Sequence, residues 1–283
     1  MPLSLIFWIS DGLIALAYPA LIQLRKIAKG SLTIAFGKEK SEDEINKILH
    51  DCFFTLGRGF IELFCYVQRP SLILKKLHFT PGSQENLDKA IKENKGVVAV
   101  SAHFGNFSLA LLYLGRIGYP IHTIIRPSRD PEIEKSFQEQ RNRMNFRTIL
   151  SLPRYTCVKQ SLTALRKKEI VAILMDQNTD SRSGVFVDFF GRKAGTPTGA
   201  VVFAMHTGSP ILPIFTVRDG KDSHKIMIEP YFYLEIKPTE AETLQHNVQK
   251  ITTIIEKYIR QYPAEWGWMN RRWKSKPDDN IIS

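Results

Sequence analysis

The stretch that decides the fold is VVAVSAHFGNFS, residues 97–108. Its opening valine-rich run has the composition of a strand that is buried on both faces. His103 follows this run, and an apolar segment of helical character, Leu109–Leu114, begins shortly afterwards. A neutral imidazole at the end of a buried strand is well placed to act as a general base. The stretch therefore predicts a strand, a turn carrying a functional histidine, and a helix.

Working outward, the chain predicts further strands and helices in alternation. Hydrophobic runs predict strands at residues 121–125, 170–175, 185–189, 211–217 and 225–228. Helical periodicity predicts helices at 41–68, 86–94, 131–144, 157–166, 198–206 and 241–260. Strands separated by helices indicate an α/β fold with a mixed, largely parallel sheet flanked by helices on both faces.

The amino-terminal segment is apolar over a length that could cross a membrane. Leu3–Leu24 has about the 20 residues needed to span a hydrocarbon core. Basic residues follow at once: Arg25, Lys26 and Lys29. Asp11 would cost roughly 2.5–3.5 kcal/mol at mid-bilayer unless the helix is shallow or the carboxylate is paired or protonated. We expect residues 1–29 to form a membrane-anchor helix and residues 30–283 to form one catalytic domain in the cytoplasm. The alternative is a buried or interfacial helix of a soluble protein.

The composition limits the partners. The 39 Lys and Arg residues against 28 Asp and Glu give a net charge of +11. Such a charge favours anionic lipid, nucleic acid or an acidic protein, and the apolar amino terminus favours membrane lipid over nucleic acid. The three cysteines lack metal-ligand spacing and predict buried thiols in a reducing compartment. His122, His206 and His224 also lack such spacing, so we expect no metal site.

Residues 103–108 resemble the His-x4-acid motif of the glycerolipid and lipid A acyltransferases. Four further segments resemble the lysophospholipid acyltransferase superfamily, specifically its lipid A late-acyltransferase branch: residues 175–177 (MDQ), 184–199 (GVFVDFFGRKAGTPTG), 212–213 (LP) and 266–274 (WGWMNRRWK). The basic stretch Arg25–Phe36 also resembles that branch. The resemblance covers nearly the whole chain in the expected order and implies a glycerolipid acyltransferase-like fold.

This resemblance implies acyl transfer from a thioester to a lipid hydroxyl. The donor would be acyl carrier protein or coenzyme A, the acceptor a phosphorylated glycolipid of the lipid A precursor type, and no cofactor would be needed. The site would face the cytoplasm at a bacterial inner membrane. His103 would take the proton of the acceptor hydroxyl. The residues expected to contact substrate are Gly105, Asn106, Arg126, Arg141, Asp176, Gln177, Arg192 and Thr196.

Ser108 departs from the family pattern, because the motif has Asp or Glu at this position to hold the imidazole. Three explanations are open, in order of preference. The serine is an engineered substitution; or another carboxylate, Asp176 or Asp188, serves instead; or the chain is a catalytically silent homologue that binds lipid. An acyltransferase with another lysophospholipid or glycolipid acceptor is the alternative within the superfamily. A nucleophilic role for Ser108 is not expected, because no Gly-x-Ser-x-Gly turn surrounds it.

Overall fold

The computed structural model describes residues 3–144, 146–180 and 182–277. The helices of this part of the chain are α1 (Leu3–Ala17), α2 (Ile22–Phe36), α3 (Glu42–Gln68), α4 (Ser71–Lys76), α5 (Ser83–Lys92), α6 (Phe107–Arg116), α7 (Pro131–Arg143), α8 (Arg154–Arg166), α9 (Gly199–Thr207) and α10 (Glu240–Gln261). Its strands are β1 (Leu77–Phe79), β2 (Val97–Ser101), β3 (Ile121–Ile125), β4 (Arg147–Leu150), β5 (Ile170–Leu174), β6 (Gly184–Phe189), β7 (Arg192–Pro197), β8 (Ile211–Asp219) and β9 (Ser223–Ile228).

The strands form a mixed, largely parallel sheet. Within the described ranges, seven strands lie in the order β1-β9-β8-β2-β5-β3-β4. The pair β8–β9 is antiparallel, and the other neighbours run parallel. The predicted fold class is therefore confirmed, and β2 lies in the centre of the sheet, where all five of its residues are buried.

Two hydrophobic cores cover the two faces of this sheet. Because side chains alternate along a strand, Val98 and Val100 pack into one core and Val97 and Ala99 into the other. The first core also contains buried residues of α2, α3, α8, α9 and α10, while α5 and α6 contribute to the second. The valine-rich run is therefore apolar throughout because both of its faces are covered.

Most predicted elements are confirmed, with ends shifted by a few residues. The longest predicted helix, α3, begins after Ser41, which forms a capping box with Glu44 as its acidic first turn suggests. The sequence reading missed the short strands β1 and β4. The strand predicted at 185–189 is confirmed as β6, but its pairing with β7 in an antiparallel hairpin was not predicted. Gln249 of α10 bonds the backbone of Asp188 through both its oxygen (2.7 Å) and its nitrogen (2.9 Å), which fixes the hairpin to that helix.

The amino-terminal helix lies along α3 and exposes apolar side chains. Leu3–Ala20 is the one helical segment among the described residues that is long and apolar enough to cross a membrane. Asp11 is paired, because its Oδ2 lies 3.1 Å from Nη1 of Arg58 on α3. This ion pair reduces the cost that an isolated carboxylate would have in a membrane. The division predicted at residue 29 falls within α2, whose Leu32 and Phe36 are buried in the core.

Candidate active site

Two neighbouring parallel strands deliver the central residues of the site. His103 follows β2 and Asp176 follows β5, and these strands pair in register over their full length. The N–H of Met175 donates to the carbonyl oxygen of Ser101 at 2.8 Å, so the pairing continues just beyond the strands. Parallel strands end at the same edge of a sheet, where α/β proteins bind their ligands. The two side chains therefore meet although 73 positions separate them in the sequence.

Asp176 binds His103 with both carboxylate oxygens, and one of them contacts the imidazole. Its Oδ1 lies 2.8 Å from Nδ1 of His103, and its Oδ2 accepts hydrogen bonds from the His103 backbone N–H (3.0 Å) and from Nε1 of Trp266 (2.8 Å). An ionised carboxylate can only accept, so we assign the ring proton to Nδ1. Nε2 is then the basic nitrogen of the ring.

Burial and the contact between the two residues act oppositely on their pKa values. Burial favours the neutral imidazole, but the hydrogen bond and charge of Asp176 outweigh it and raise the pKa of His103 above its usual 6.5. Burial likewise disfavours the carboxylate of Asp176, yet the bonds from His103 and Trp266 lower the pKa of Asp176 below its usual 3.8. Asp176 is therefore a buried carboxylate at neutral pH.

Ser108 does not hold the imidazole. The Nδ1 atom that it would contact is bound to Asp176, and Ser108 lies on the first turn of α6 in the wall of a cavity. Asp188, the other carboxylate considered, is exposed on the hairpin and pairs with Lys193 at 3.1 Å. The geometry thus supports the second explanation for Ser108, with Asp176 as the carboxylate.

Two open cavities meet at the imidazole. The first, of about 610 Å³, is lined by polar residues that include Asn178, Asn270, Arg271 and Lys274. The second, of about 650 Å³, has a largely apolar wall: Leu111, Ile124, Ile125, Phe146, Leu152, Ile173 and Leu174. His103, Phe107 and Gln177 line both cavities. A reacting group from each side could therefore reach the same ring.

Similarity to known proteins identifies the family of this chain. Residues 1–275 match the sequence profile of the family described as bacterial lipid A biosynthesis acyltransferase. The chain belongs to this acyltransferase family. It is 26% identical over 279 residues to the lipid A biosynthesis palmitoleoyltransferase of Escherichia coli K12, covering 98% of this chain and 87% of that protein.

Two further relatives differ in the acceptor that their names imply. The lipid A biosynthesis lauroyltransferase of Escherichia coli K12 is 28% identical over 283 residues, covering 98% of this chain and 88% of that protein. The phosphatidylinositol mannoside acyltransferase of Mycolicibacterium smegmatis is 26% identical over 198 residues, covering 67% of this chain and 60% of that protein. The fold and the family expected from the sequence are thus confirmed.

In this acyltransferase, Gly105, Arg126 and Gln177, three of the residues predicted to contact substrate, line the cavities. Gly105 has a φ of +56°, and a Cβ at this position would lie 1.8 Å from the carbonyl oxygen of Thr216. Glycine is therefore required here because the backbone of this turn lies close to β8. The N–H of Gly105 donates to the carbonyl oxygen of Glu265 at 2.7 Å, so it is not available to a substrate.

Two of the residues expected to contact substrate are engaged in contacts within the protein instead. Asn106 is buried and donates through Nδ2 to the carbonyl oxygen of Gly59 at 2.8 Å, which ties the turn after β2 to α3. Arg141 binds Glu134 and Gln138 on its own helix, α7. Neither residue lines the cavities at His103.

The two expected residues on the hairpin are also outside the cavities. Arg192 is exposed at the start of β7 and lines neither cavity. Thr196 is fully buried and accepts a hydrogen bond from the guanidinium of Arg272. The expectation of substrate contact for these two residues has no support in the structure, because the hairpin packs against α10.

The carboxyl-terminal segment supplies residues that the sequence reading missed. Trp266 is buried, bridges to the backbone of Phe104 and donates to Asp176, and the N–H of Gly267 donates to the carbonyl oxygen of His103 at 3.2 Å. Arg272 in the same segment is only 1% exposed. The available signal was the density of indole N–H groups, which need partners when buried.

A buried network of charged residues is hydrogen-bonded to the start of the carboxyl-terminal segment at Glu265. Glu62 of α3 is fully buried and accepts from both terminal nitrogens of Arg218 (2.6 and 2.8 Å) and pairs with Nε2 of His224 at 2.9 Å. Burial opposes ionisation of Glu62, but these partners outweigh it and lower the pKa of that carboxyl. The backbone N–H of Arg218 in turn donates to Glu265 at 3.0 Å, directly before Trp266.

Over the described residues, no group of three or more His, Cys, Asp or Glu side chains could hold a metal ion.

Proposed function

We propose that this protein transfers a fatty acyl chain from a thioester, acyl carrier protein being the expected donor, to a hydroxyl of a phosphorylated glycolipid of the lipid A precursor type. No cofactor takes part. The observation that carries the proposal is the His103–Asp176 pair at the junction of two cavities. The apolar side chains of the second cavity suit the acyl chain, and the amide and cationic side chains in the wall of the first suit the glycolipid headgroup.

His103 acts as the general base. Its Nε2 takes the proton of the acceptor hydroxyl as the hydroxyl oxygen forms a bond to the thioester carbonyl carbon. The tetrahedral intermediate collapses, the carbon–sulfur bond breaks, and the leaving thiolate takes the proton back from Nε2. The products are an ester and a free thiol. Asp176 keeps the ring in the tautomer with Nε2 free and stabilises the imidazolium while it carries the proton.

The start of α6 offers donors for the negative charge on the intermediate. Phe107 and Ser108 are the first residues of this helix, and neither N–H has an acceptor within the described chain. Both residues line the second cavity beside His103. Free N–H groups at a helix amino terminus stabilise a developing oxyanion. Ser108 would thus contribute its backbone, and a shorter side chain than Asp or Glu leaves room in this cavity.

The amino-terminal helix would bring this site to the cytoplasmic face of the inner membrane. Trp8, Leu13 and Leu16 of α1 are each at least 60% exposed, although all are large and apolar. Their replacement by glutamine should release the protein from membrane fractions while its thermal unfolding is unchanged. Retention on membranes after this substitution would move the contact to another surface.

The decisive test is acyl transfer by the purified protein. With acyl carrier protein thioester and a phosphorylated, acylated glucosamine disaccharide, we expect ester formation detected by mass spectrometry. His103→Ala should reduce kcat by at least about 100-fold, because general-base assistance contributes on the order of 10²–10⁴. His246→Ala, which changes an exposed histidine on α10, is the matched control.

Two outcomes of this assay would contradict the proposal. If the wild-type protein binds the glycolipid but never acylates it, the protein is a lipid-binding homologue. If acylation occurs and His103→Ala retains the wild-type rate, the base is another group.

A second acceptor follows from the similarity to phosphatidylinositol mannoside acyltransferases. That similarity favours a mannosylated phospholipid as the competing glycolipid. Parallel assays with the two acceptors at equal concentration would decide by the ratio of their kcat/KM values.

A further inference from the structure

We propose that Arg271 and Lys274 form a phosphate-binding subsite beside the imidazole; this inference rests on the proposed acyl transfer. Both residues line the first cavity together with His103. The ligand would be a phosphate group carried by one of the two substrates. Its sources are the headgroup of the glycolipid acceptor and the phosphodiester of a pantetheine arm.

The two cations have no carboxylate to neutralise them. Across the described ranges, the ion pairs of this protein involve other basic residues and leave both Arg271 and Lys274 exposed. None of the eleven residues that line the first cavity is acidic. Asp176 lies behind the cavity, fully buried, with its oxygens bound to His103 and Trp266. The cavity therefore presents positive charge without a competing anion.

The turn that carries the two cations is fixed by Arg272, the residue between them in the sequence. The guanidinium of Arg272 is buried, donates to the carbonyl oxygen of Gly195 at 2.6 Å, and also binds Thr196. Burial lowers the pKa of Arg272 to about 10, although nearby Asp176 acts in the opposite direction. Because burying a guanidinium is costly unless it is hydrogen-bonded, Arg272 must keep its bonds to the hairpin. These bonds fix the position of the backbone at Arg271 and Lys274.

Hydrogen bonds on both sides of Arg272 complete this support. The N–H of Lys274 donates to the carbonyl oxygen of Arg271 at 3.2 Å, which closes the turn. Asn178 accepts from the N–H of Ser275 (3.1 Å) and donates to its hydroxyl (2.9 Å). Asn270 reaches the carbonyl oxygen of Asp176 at 3.3 Å. The two exposed cations thus extend from a segment whose Asn270 side chain is hydrogen-bonded to the backbone of Asp176.

This arrangement has the chemistry of a phosphate site. A guanidinium offers a planar fork of donors and an ammonium offers a compact charge, and the two together bind a phosphate oxyanion. The cavity also contains the amides of Gln177 and Asn178, which can donate to further oxygens.

The test compares substrates with and without phosphate in the variant R271Q/K274Q. On the donor side, acyl-4′-phosphopantetheine is compared with acyl-pantetheine. On the acceptor side, an acylated glucosamine disaccharide phosphate is compared with its dephosphorylated form. For the pair that uses the subsite, kcat/KM of the phosphorylated substrate should fall by about tenfold per cation, mainly through KM. The dephosphorylated substrate should be unaffected within about twofold, and the pair that responds identifies the source of the phosphate.

The conservative variant Arg271→Lys should retain most of the activity that R271Q/K274Q loses. Arg166→Gln and Lys89→Gln are matched controls, because both residues are exposed cations away from the cavity. Equal losses with phosphorylated and dephosphorylated substrates, or no loss with either, would overturn the proposal.

A binding measurement separates this proposal from the proposed function. Calorimetric titration of 4′-phosphopantetheine and of the disaccharide phosphate into His103→Ala protein does not depend on turnover. Loss of affinity for one of these probes on adding R271Q/K274Q supports the subsite even if no acyl transfer is found. Unchanged affinity for both probes refutes it.

Discussion

Replacement of Asp176 by asparagine tests the catalytic pair most directly. Oδ2 of Asp176 accepts two N–H donors, from the His103 backbone and from Trp266. The amide oxygen of an asparagine must take that position, because the amide nitrogen would face two donors there. The amide nitrogen then faces Nδ1 of His103 and donates to it. The ring proton moves to Nε2, which removes the base from the position where the acceptor hydroxyl must lie.

The size of the effect follows from this inverted tautomer. General-base catalysis contributes on the order of 10²–10⁴, and the wrong tautomer forfeits most of it. We expect kcat of Asp176→Asn to fall by roughly 10³-fold with little change in KM for either substrate. The loss of the charge-assisted hydrogen bond should also lower the free energy of unfolding by about 1–3 kcal/mol. Steady-state kinetics with the thioester donor, with urea unfolding in parallel, measures both quantities.

Two matched variants serve as controls for the effect of Asp176→Asn. Asp188→Asn removes an exposed carboxylate on the hairpin and should leave kcat unchanged. Ser108→Glu should raise kcat by less than about threefold, because Asp176 already occupies the ring nitrogen. A kcat of Asp176→Asn within threefold of the wild type, in a folded protein, would refute the assignment of Asp176 as the partner of the base.

Three more predictions concern pH and stability. The rate should rise with pH through an apparent pKa above 6.5, because His103 must be neutral to act. The ion pair of His103 with Asp176 should stabilise the fold most between about pH 4 and 6.5. Its contribution is lost as pH rises through the raised pKa of His103 or falls through the lowered pKa of Asp176, and a pH series of thermal melts checks this. Glu62→Gln should lower the free energy of unfolding by about 3–5 kcal/mol, because it breaks a buried charge network. Glu42→Gln removes a carboxylate from an exposed ion pair and should leave the urea midpoint unchanged. Equal midpoints for the two variants would contradict a stabilising role of the buried network. Gly105→Ala should lower the free energy of unfolding by more than about 2 kcal/mol, and by more than Gly208→Ala does. Both glycines have a positive φ, but only a Cβ at Gly105 would clash with a carbonyl oxygen. Equal losses of the two variants in urea unfolding would exclude that clash.

Local patterns predicted most of the secondary structure. The valine-rich run before His103 indicated a strand buried on both faces, and the acidic turn after Ser41 indicated a helix start. These features act within a dozen residues, where periodicity and capping chemistry largely decide the conformation. The amino-terminal helix was also visible from composition, whereas the pairing of Asp11 with Arg58 was not, because the two residues lie on different helices.

The sequence by itself determined the histidine, the strand that carries it and the family. It named Asp176 and Asp188 as possible carboxylates but could not choose between them. That choice depends on which strands pair, and the register of β2 with β5 brings one carboxylate to the ring while the hairpin carries the other to α10. Only the tertiary structure therefore decided the partner of His103, since a contact between the ends of two strands is a property of the assembled sheet.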